Sequence, residues 1–138
     1  MRTLFTLTLI LVLSTASSTY CQDSARIDVD FKVPKGWKKL NDTIYVIKNY
    51  TKELNEWVSY LAQGHMPWRY DPKNIAVTCL WSFGITNHTP VFEFADYLEE
   101  IKKDEIYSLT VDSTDYIIYV RIKKNVPIAY KFVISPSQ

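Results

Sequence analysis

Gly64-His65-Met66-Pro67-Trp68-Arg69-Tyr70-Asp71 places an imidazole, two aromatic rings and a guanidinium within eight consecutive residues. Trp, Tyr and Arg combine large contact area with directed hydrogen bonds, and for that reason they dominate binding hot spots. The stretch suits recognition: a ring to stack on a sugar, or a guanidinium to clamp an acidic group. His65, Trp68, Arg69 and Tyr70 are therefore the candidate ligand-binding residues. A structural role competes with this one, in which Trp68 plugs the core, Arg69 lies over Tyr70 and Asp71 caps the next helix.

Catalytic chemistry finds less support. Only His65 and His88 titrate near neutral pH without perturbation, and neither stands in a recognisable catalytic setting. Three glycines are too few for a phosphate-cradling loop, and neither a nucleophile elbow nor a zinc-protease motif occurs. Glu99 and Glu100 are adjacent, so on a helix they would point about 100° apart and could not face one another. Asp28 and Asp30 would lie about 7 Å apart on one strand face; that spacing admits a cation, but exposed acidic alternation is the ordinary pattern of a wet face. Two histidines and two cysteines without ligand spacing argue against a zinc site. Cys79 could act as a nucleophile only if exposed in positive surroundings. The expectation is no catalytic residue, no metal and no cofactor.

The elements that must position these residues follow from periodicity. Residues 26–33 alternate, with Ile27, Val29, Phe31 and Val33 on one face, and predict a half-buried strand. Pro34-Lys35-Gly36 is a turn signal, after which Trp37 and Leu40 are expected to fold back on the core. Ile44 to Ile47 is a second strand, able to pair with the first as a hairpin. Thr51 is read as the cap of a helix carrying Leu54, Trp57, Val58 and Leu61, stopped by Gly64. Asp71-Pro72 starts a second helix that Gly84 closes, although Ile75, Val77, Cys79, Trp81 and Phe83 also alternate as in a strand. Thr89-Pro90 repeats the start signal for a third, with Val91, Phe94, Ala95, Leu98 and Ile101 as its apolar face. Three strands finish the chain as a meander: one carries Tyr107, Leu109 and Val111, the next Tyr116 to Ile122, and the last Ile128 to Ile134. Ser135 to Gln138 is expected to fray.

Together these predict an α+β domain: an antiparallel sheet, made of an N-terminal hairpin and a C-terminal three-stranded meander, with two or three helices packed on one face. The order of helices followed by a curved sheet is similar to the cone-shaped nuclear-transport-factor-2-like fold. The string Phe31-Lys32-Val33-Pro34-Lys35-Gly36-Trp37 is similar to the strand-turn opening of PsbP-like domains. Each likeness covers a small part of the chain and neither assigns a family.

The first residues have the three parts of an export signal: basic Arg2, the apolar run Leu4 to Leu13, and the small polar exit Ser14 to Thr19. Residues 1–21 are read as a signal peptide, cleaved between about 18 and 22, and residues 22–138 as one compact domain. The run is shorter than the roughly 20 residues a bilayer span needs, and nothing later is long and apolar enough to form one. A lipid anchor at Cys21 is disfavoured, because Tyr20 and Ser18 stand where a small and an apolar residue belong. Export permits a Cys21–Cys79 disulfide; a buried Cys79 thiol is the alternative.

The whole chain carries 16 basic and 15 acidic residues, and losing Arg2 with the signal would leave the two equal. That balance argues against nucleic acid as a partner. Asn41, Asn49 and Asn87 each begin an Asn-x-Thr triplet, a glycosylation acceptor if the route is eukaryotic. The expected function is an exported, non-enzymatic binding domain whose partner is a protein or a small polar ligand. The alternatives are a small enzyme with a pocket between helices and sheet, and a structural or envelope-associated protein. The domain is expected to have no transmembrane segment.

Overall fold

The computed structural model describes residues 27–87, 95–102 and 105–138. Their elements run β1 (Ile27–Val29), β2 (Trp37–Lys39), β3 (Ile44–Ile47), α1 (Tyr50–Leu61), a 3-10 turn (Pro67–Tyr70), α2 (Pro72–Ser82), β4 (Ile85–Asn87), β5 (Glu99–Lys102), β6 (Ile106–Val111), β7 (Thr114–Lys123) and β8 (Val126–Pro136). Two antiparallel sheets form: a six-stranded sheet in the order β2-β3-β8-β7-β6-β5, and a two-stranded one of β1 and β4. The domain is α+β, as expected, with no described helix long and apolar enough to cross a membrane.

The C-terminal meander is present in full. Its two turns, Asp112-Ser113 and Lys124-Asn125, are two-residue loops in which both residues have positive φ. That geometry matches the right-handed twist of the flanking strands. Ile118, Val120 and Phe132 are buried and face α2 within the main core cluster. The last strand does not fray where expected: β8 runs to Pro136, and Ser137 N–H donates to the Ser113 carbonyl at 2.9 Å.

The N-terminal half departs from the expected pairing. Of the strand expected over 26–33, the described residues 27–33 do not run on beside Ile44–Ile47. Instead β1 is three residues long and pairs with β4, Ile27 opposite Asn87. Past it, Asp30 N–H donates to the Gly84 carbonyl (2.8 Å) and Lys32 N–H to the Phe83 carbonyl (2.9 Å). Val29 and Val33 are left 44% and 45% exposed. The hairpin of the six-stranded sheet is β2–β3, Trp37 opposite Ile47, and β3 joins β8 with Tyr45 opposite Phe132. Trp37 packs on the core as expected; Leu40, at 58% exposure, does not.

The third expected helix is corrected at its C-terminal end, while Ala95 and Asp96 are helical. Residues 88–94 lie outside the described residues, and Ala95 and Leu98 are buried. Glu99–Lys102, expected on the same helix, is strand β5, with Glu99 opposite Ser108 of β6. Pairing there satisfies the backbone groups of an otherwise open β6 edge, a term helical periodicity does not contain. Two α-helices therefore pack on the sheet among the described residues. The cap of α1 is Asn49, two residues before the expected Thr51: its Oδ1 accepts from Lys52 N–H at 3.0 Å. Gly64, at φ +78°, closes the chain after α1 as expected.

The core converges on Phe83, which is fully buried. Its ring stacks on Phe132 (4.2 Å, 20°) and meets Trp37 (5.0 Å) and Tyr45 (5.6 Å) edge-on. Gly84 follows at φ +84°, and a Cβ there would fall on the Asp30 carbonyl oxygen. Gly36, at φ +93°, has open space around it.

Gly84→Ala should destabilise the domain by about 3 kcal/mol, because left-handed strain and a backbone collision add; Gly36→Ala, with strain alone, should cost about 1 kcal/mol. Urea midpoints compare the two, and equal shifts would refute the close approach at Gly84. Asn49→Ala should cost about 1 kcal/mol for the lost cap and Thr51→Ala much less, on the same measurement.

Candidate functional site

Six elements leave a pocket of about 240 Å³ between them, with walls from the strands β2 and β3, α1, the 3-10 turn, α2 and β8. α2 forms because Asp71 accepts from Lys73 N–H at 2.9 Å and Pro72 pre-sets the first turn. Asn74, Ile75, Ala76, Val77, Cys79 and Leu80 are all buried, so α2 is apolar nearly all round, as befits a helix enclosed by neighbours. From that fixed position the Asn74 side-chain amide donates to the Trp68 carbonyl at 3.3 Å. This bond ties the 3-10 turn to α2, and Met66, at φ +53°, swings the chain into it.

The turn divides the residues that the sequence singles out. Arg69 enters the pocket and is only 8% exposed. Trp68 packs against the main core cluster. Tyr70 is 48% exposed, and His65 stacks on Tyr60 at 5.0 Å; neither lines the pocket. The four residues therefore do not converge, and Arg69 does not lie over Tyr70.

Arg69 lies over Trp57 instead, its Cζ 3.3 Å from the ring centroid. The indole N–H of Trp57 is itself held by Glu53 Oε1 at 2.9 Å, one helical turn earlier on α1. Among the described residues no ion pair or hydrogen bond reaches the guanidinium, and its Nε–H is buried without a partner. Burial pushes Arg69 down from the ordinary guanidinium range to about 10, and the attraction of Glu53 offsets only part of that. A drop of that size corresponds to about 3 kcal/mol of folding free energy.

Apart from Lys35, which also lines the pocket, the remaining walls are apolar or already engaged. Trp37, Ile47, Ile75 and Ile128 contribute hydrocarbon. Thr78 Oγ donates to the Asn74 carbonyl (2.8 Å) and Ser82 Oγ to the Cys79 carbonyl (2.7 Å), leaving both oxygens as acceptors. Cys79 is buried, and burial pushes its thiol up, away from the thiolate a nucleophile requires. Cys21, its partner in the disulfide that export would permit, lies outside the described residues, as do all of residues 1–21. The pocket thus offers two cations, the buried Arg69 and the exposed Lys35, among largely apolar walls, and no acid–base pair.

The other nominated residues stand apart from it. Asn41 Oδ1 accepts from Thr43 N–H, Thr43 Oγ and Ile44 N–H, holding the β2–β3 turn. Asn49 caps α1, and the backbone of Asn87 pairs with Ile27. No group of His, Cys, Asp and Glu suited to a metal ion occurs among the described residues. Reading the sequence missed Trp57 and Glu53 as site residues; their spacing of four on α1 is the signal that links them to one another.

Cys79 should resist a thiol reagent at pH 8 in the folded protein and react at the rate of unfolding. Labelling measured against urea concentration checks this; rapid labelling without denaturant would contradict its burial. Matched against protein-family models, curated proteins and solved structures, the chain has no counterpart that identifies a family.

Proposed function

We propose that this chain is a non-enzymatic binding domain whose pocket takes a small ligand with an anionic group, seated on Arg69. The observation that carries the reading is a buried guanidinium with no acceptor. Desolvating a cation is expensive, and proteins normally repay it with a paired carboxylate or with hydrogen bonds. Here the Trp57 face supplies partial compensation, worth about 2 kcal/mol when desolvated, and leaves the N–H donors unused. A carboxylate or similar oxyanion would supply acceptors in the planar fork that Arg prefers.

The apolar walls select the rest of the ligand. Benzene occupies an engineered cavity of about 150 Å³, so 240 Å³ suits a body somewhat larger than one ring. We read residues 1–21 as an export signal, which places the binding outside the cytosol. The lowered Arg69 pKa still leaves the side chain charged at neutral pH, so the anion meets a full positive charge there.

Titration with small aromatic and aliphatic carboxylates, followed by Trp fluorescence, tests the reading. A carboxylate should bind at least about tenfold more tightly than its neutral amide, the typical worth of a charged hydrogen bond. Arg69→Met should abolish that preference while leaving unliganded stability equal or higher, because an unpaired buried cation is replaced by an apolar chain. Equal binding of acid and amide, or a large loss of stability in Arg69→Met, would overturn it.

A further inference from the structure

A second feature lies away from the pocket's cation, along the β7–β8 hairpin. Tyr119, Arg121 and Lys123 occupy alternate positions of β7, so they project from one face about 7 Å apart. Lys131 of β8 is the cross-strand partner of Tyr119 and shares that face. Val46 pairs with Lys131 on one side and with Lys38 on the other, which carries the row of positive charge on to β2.

These cations rest on aromatic rings. Arg121 Cζ lies 4.3 Å from the Tyr130 centroid and 5.4 Å from that of Tyr50. Lys123 Nζ is 5.7 Å from Tyr50, and Lys131 Nζ is 4.5 Å from Tyr119. The ion pairs among the described residues are Lys39–Asp42 and Lys52–Glu56, and neither involves this strip. A ring face orients a cation without neutralising it, so the strip presents held positive charges that no ion pair among the described residues compensates.

We propose that this strip binds a sulfated linear polysaccharide, with Arg121, Lys123 and Lys131 as the main contacts. A row of charges across several strands fits a polymer of repeating oxyanions better than a single anion. Arg121 can take one such group bidentately, while the two lysines act as point charges. Single-stranded nucleic acid fits less well, because its bases need bare aromatic faces to stack on, and here the cations cover them. A lipid surface fits less well too: interfacial binding needs apolar side chains free to enter the acyl boundary, and this strip consists of cations and half-buried tyrosines.

Binding of the full chain to immobilised heparin, eluted with salt, tests the assignment. The wild type should be retained at about 0.15 M salt, where charges beyond roughly 8 Å are screened. The combined variant Arg121→Gln, Lys123→Gln, Lys131→Gln should bind about tenfold or more weakly, a loss of about 1.4 kcal/mol, with a shallower salt dependence. The pair Lys39→Gln and Lys52→Gln removes the same kind of charge from already paired residues and should leave retention unchanged. An unshifted urea midpoint confirms that each variant folds, and the exposed Lys123→Gln alone serves if the combined variant does not. Absence of retention, equal losses in both sets of variants, or tighter binding to single-stranded DNA or to phosphatidylserine vesicles would each overturn the proposal.

Discussion

The stack of Phe83 on Phe132 is the contact from which the other placements follow. Phe83 is the last residue before a turn that only a small residue fits, since the Gly84 Cα lies against the backbone of Asp30. Its own carbonyl and that of Gly84 accept from Lys32 and Asp30, so one short segment fixes the C-terminal end of α2, the path after β1 and the start of β4. Phe132 sits on β8 between Tyr45 and Ile118, which ties that segment to the centre of the large sheet. Aromatic pairs contribute about 1 kcal/mol each beyond the area they bury, and Phe83 makes several at once. With the end of α2 fixed in this way, its first turn is fixed as well. Asn74 can then hold the Trp68 carbonyl, and the 3-10 turn presents Arg69 to Trp57.

That presentation is unfavourable for the empty protein. Burial lowers the Arg69 pKa more than Glu53 raises it, so the charged form is disfavoured by folding at every pH where it exists. As pH rises through about 10 towards the ordinary guanidinium range, the unfolded chain holds more protons at this position than the folded one, and the contribution of Arg69 to stability improves. A methionine would fill similar space without the penalty. Domains this small have modest reserves of stability, and the aromatic contacts around Phe83 add to the reserve against which this cost is set. The two observations belong together: the core supplies the excess that the site spends.

What the sequence discloses depends on whether a signal is local. The meander was legible because each strand alternates and each turn is short. α2 was legible from Asp71-Pro72 and Gly84, although its alternation misleads: a helix covered on every side keeps no polar stripe, so Ile75, Val77 and Cys79 read equally well as a strand. The pairing of β1 with β4 was not legible, because it depends on Gly84 approaching Asp30 across fifty-four positions of chain. Nor was β5, whose strand character comes from the open edge of β6 rather than from its own residues. At the site, Arg69 was singled out by type, but its partner was sought among its neighbours in sequence. Trp57 lies on the preceding helix, and only the packing of α1 against Val126 and Ile128 brings it there.

One extra residue in β8 connects the two proposed sites. Tyr119 pairs with Lys131, and the next pair along is Val120 with Ala129, so Tyr130 has no partner. A bulge of this kind bends its strand and increases the local twist. Beyond it Ile128 and Val126 pair with Arg121 and Lys123 and gather with Leu54 and Leu61 of α1 into a second cluster. Ile128 and Ala129 both line the pocket although they are adjacent in a strand. The extra residue directly follows Ala129, so the bulge stands at the edge of this wall. The displaced Tyr130 ring meanwhile supports Arg121. The irregularity beside the pocket wall thus also carries the ring that supports the first cation of the strip, so Tyr130 stands between the two sites.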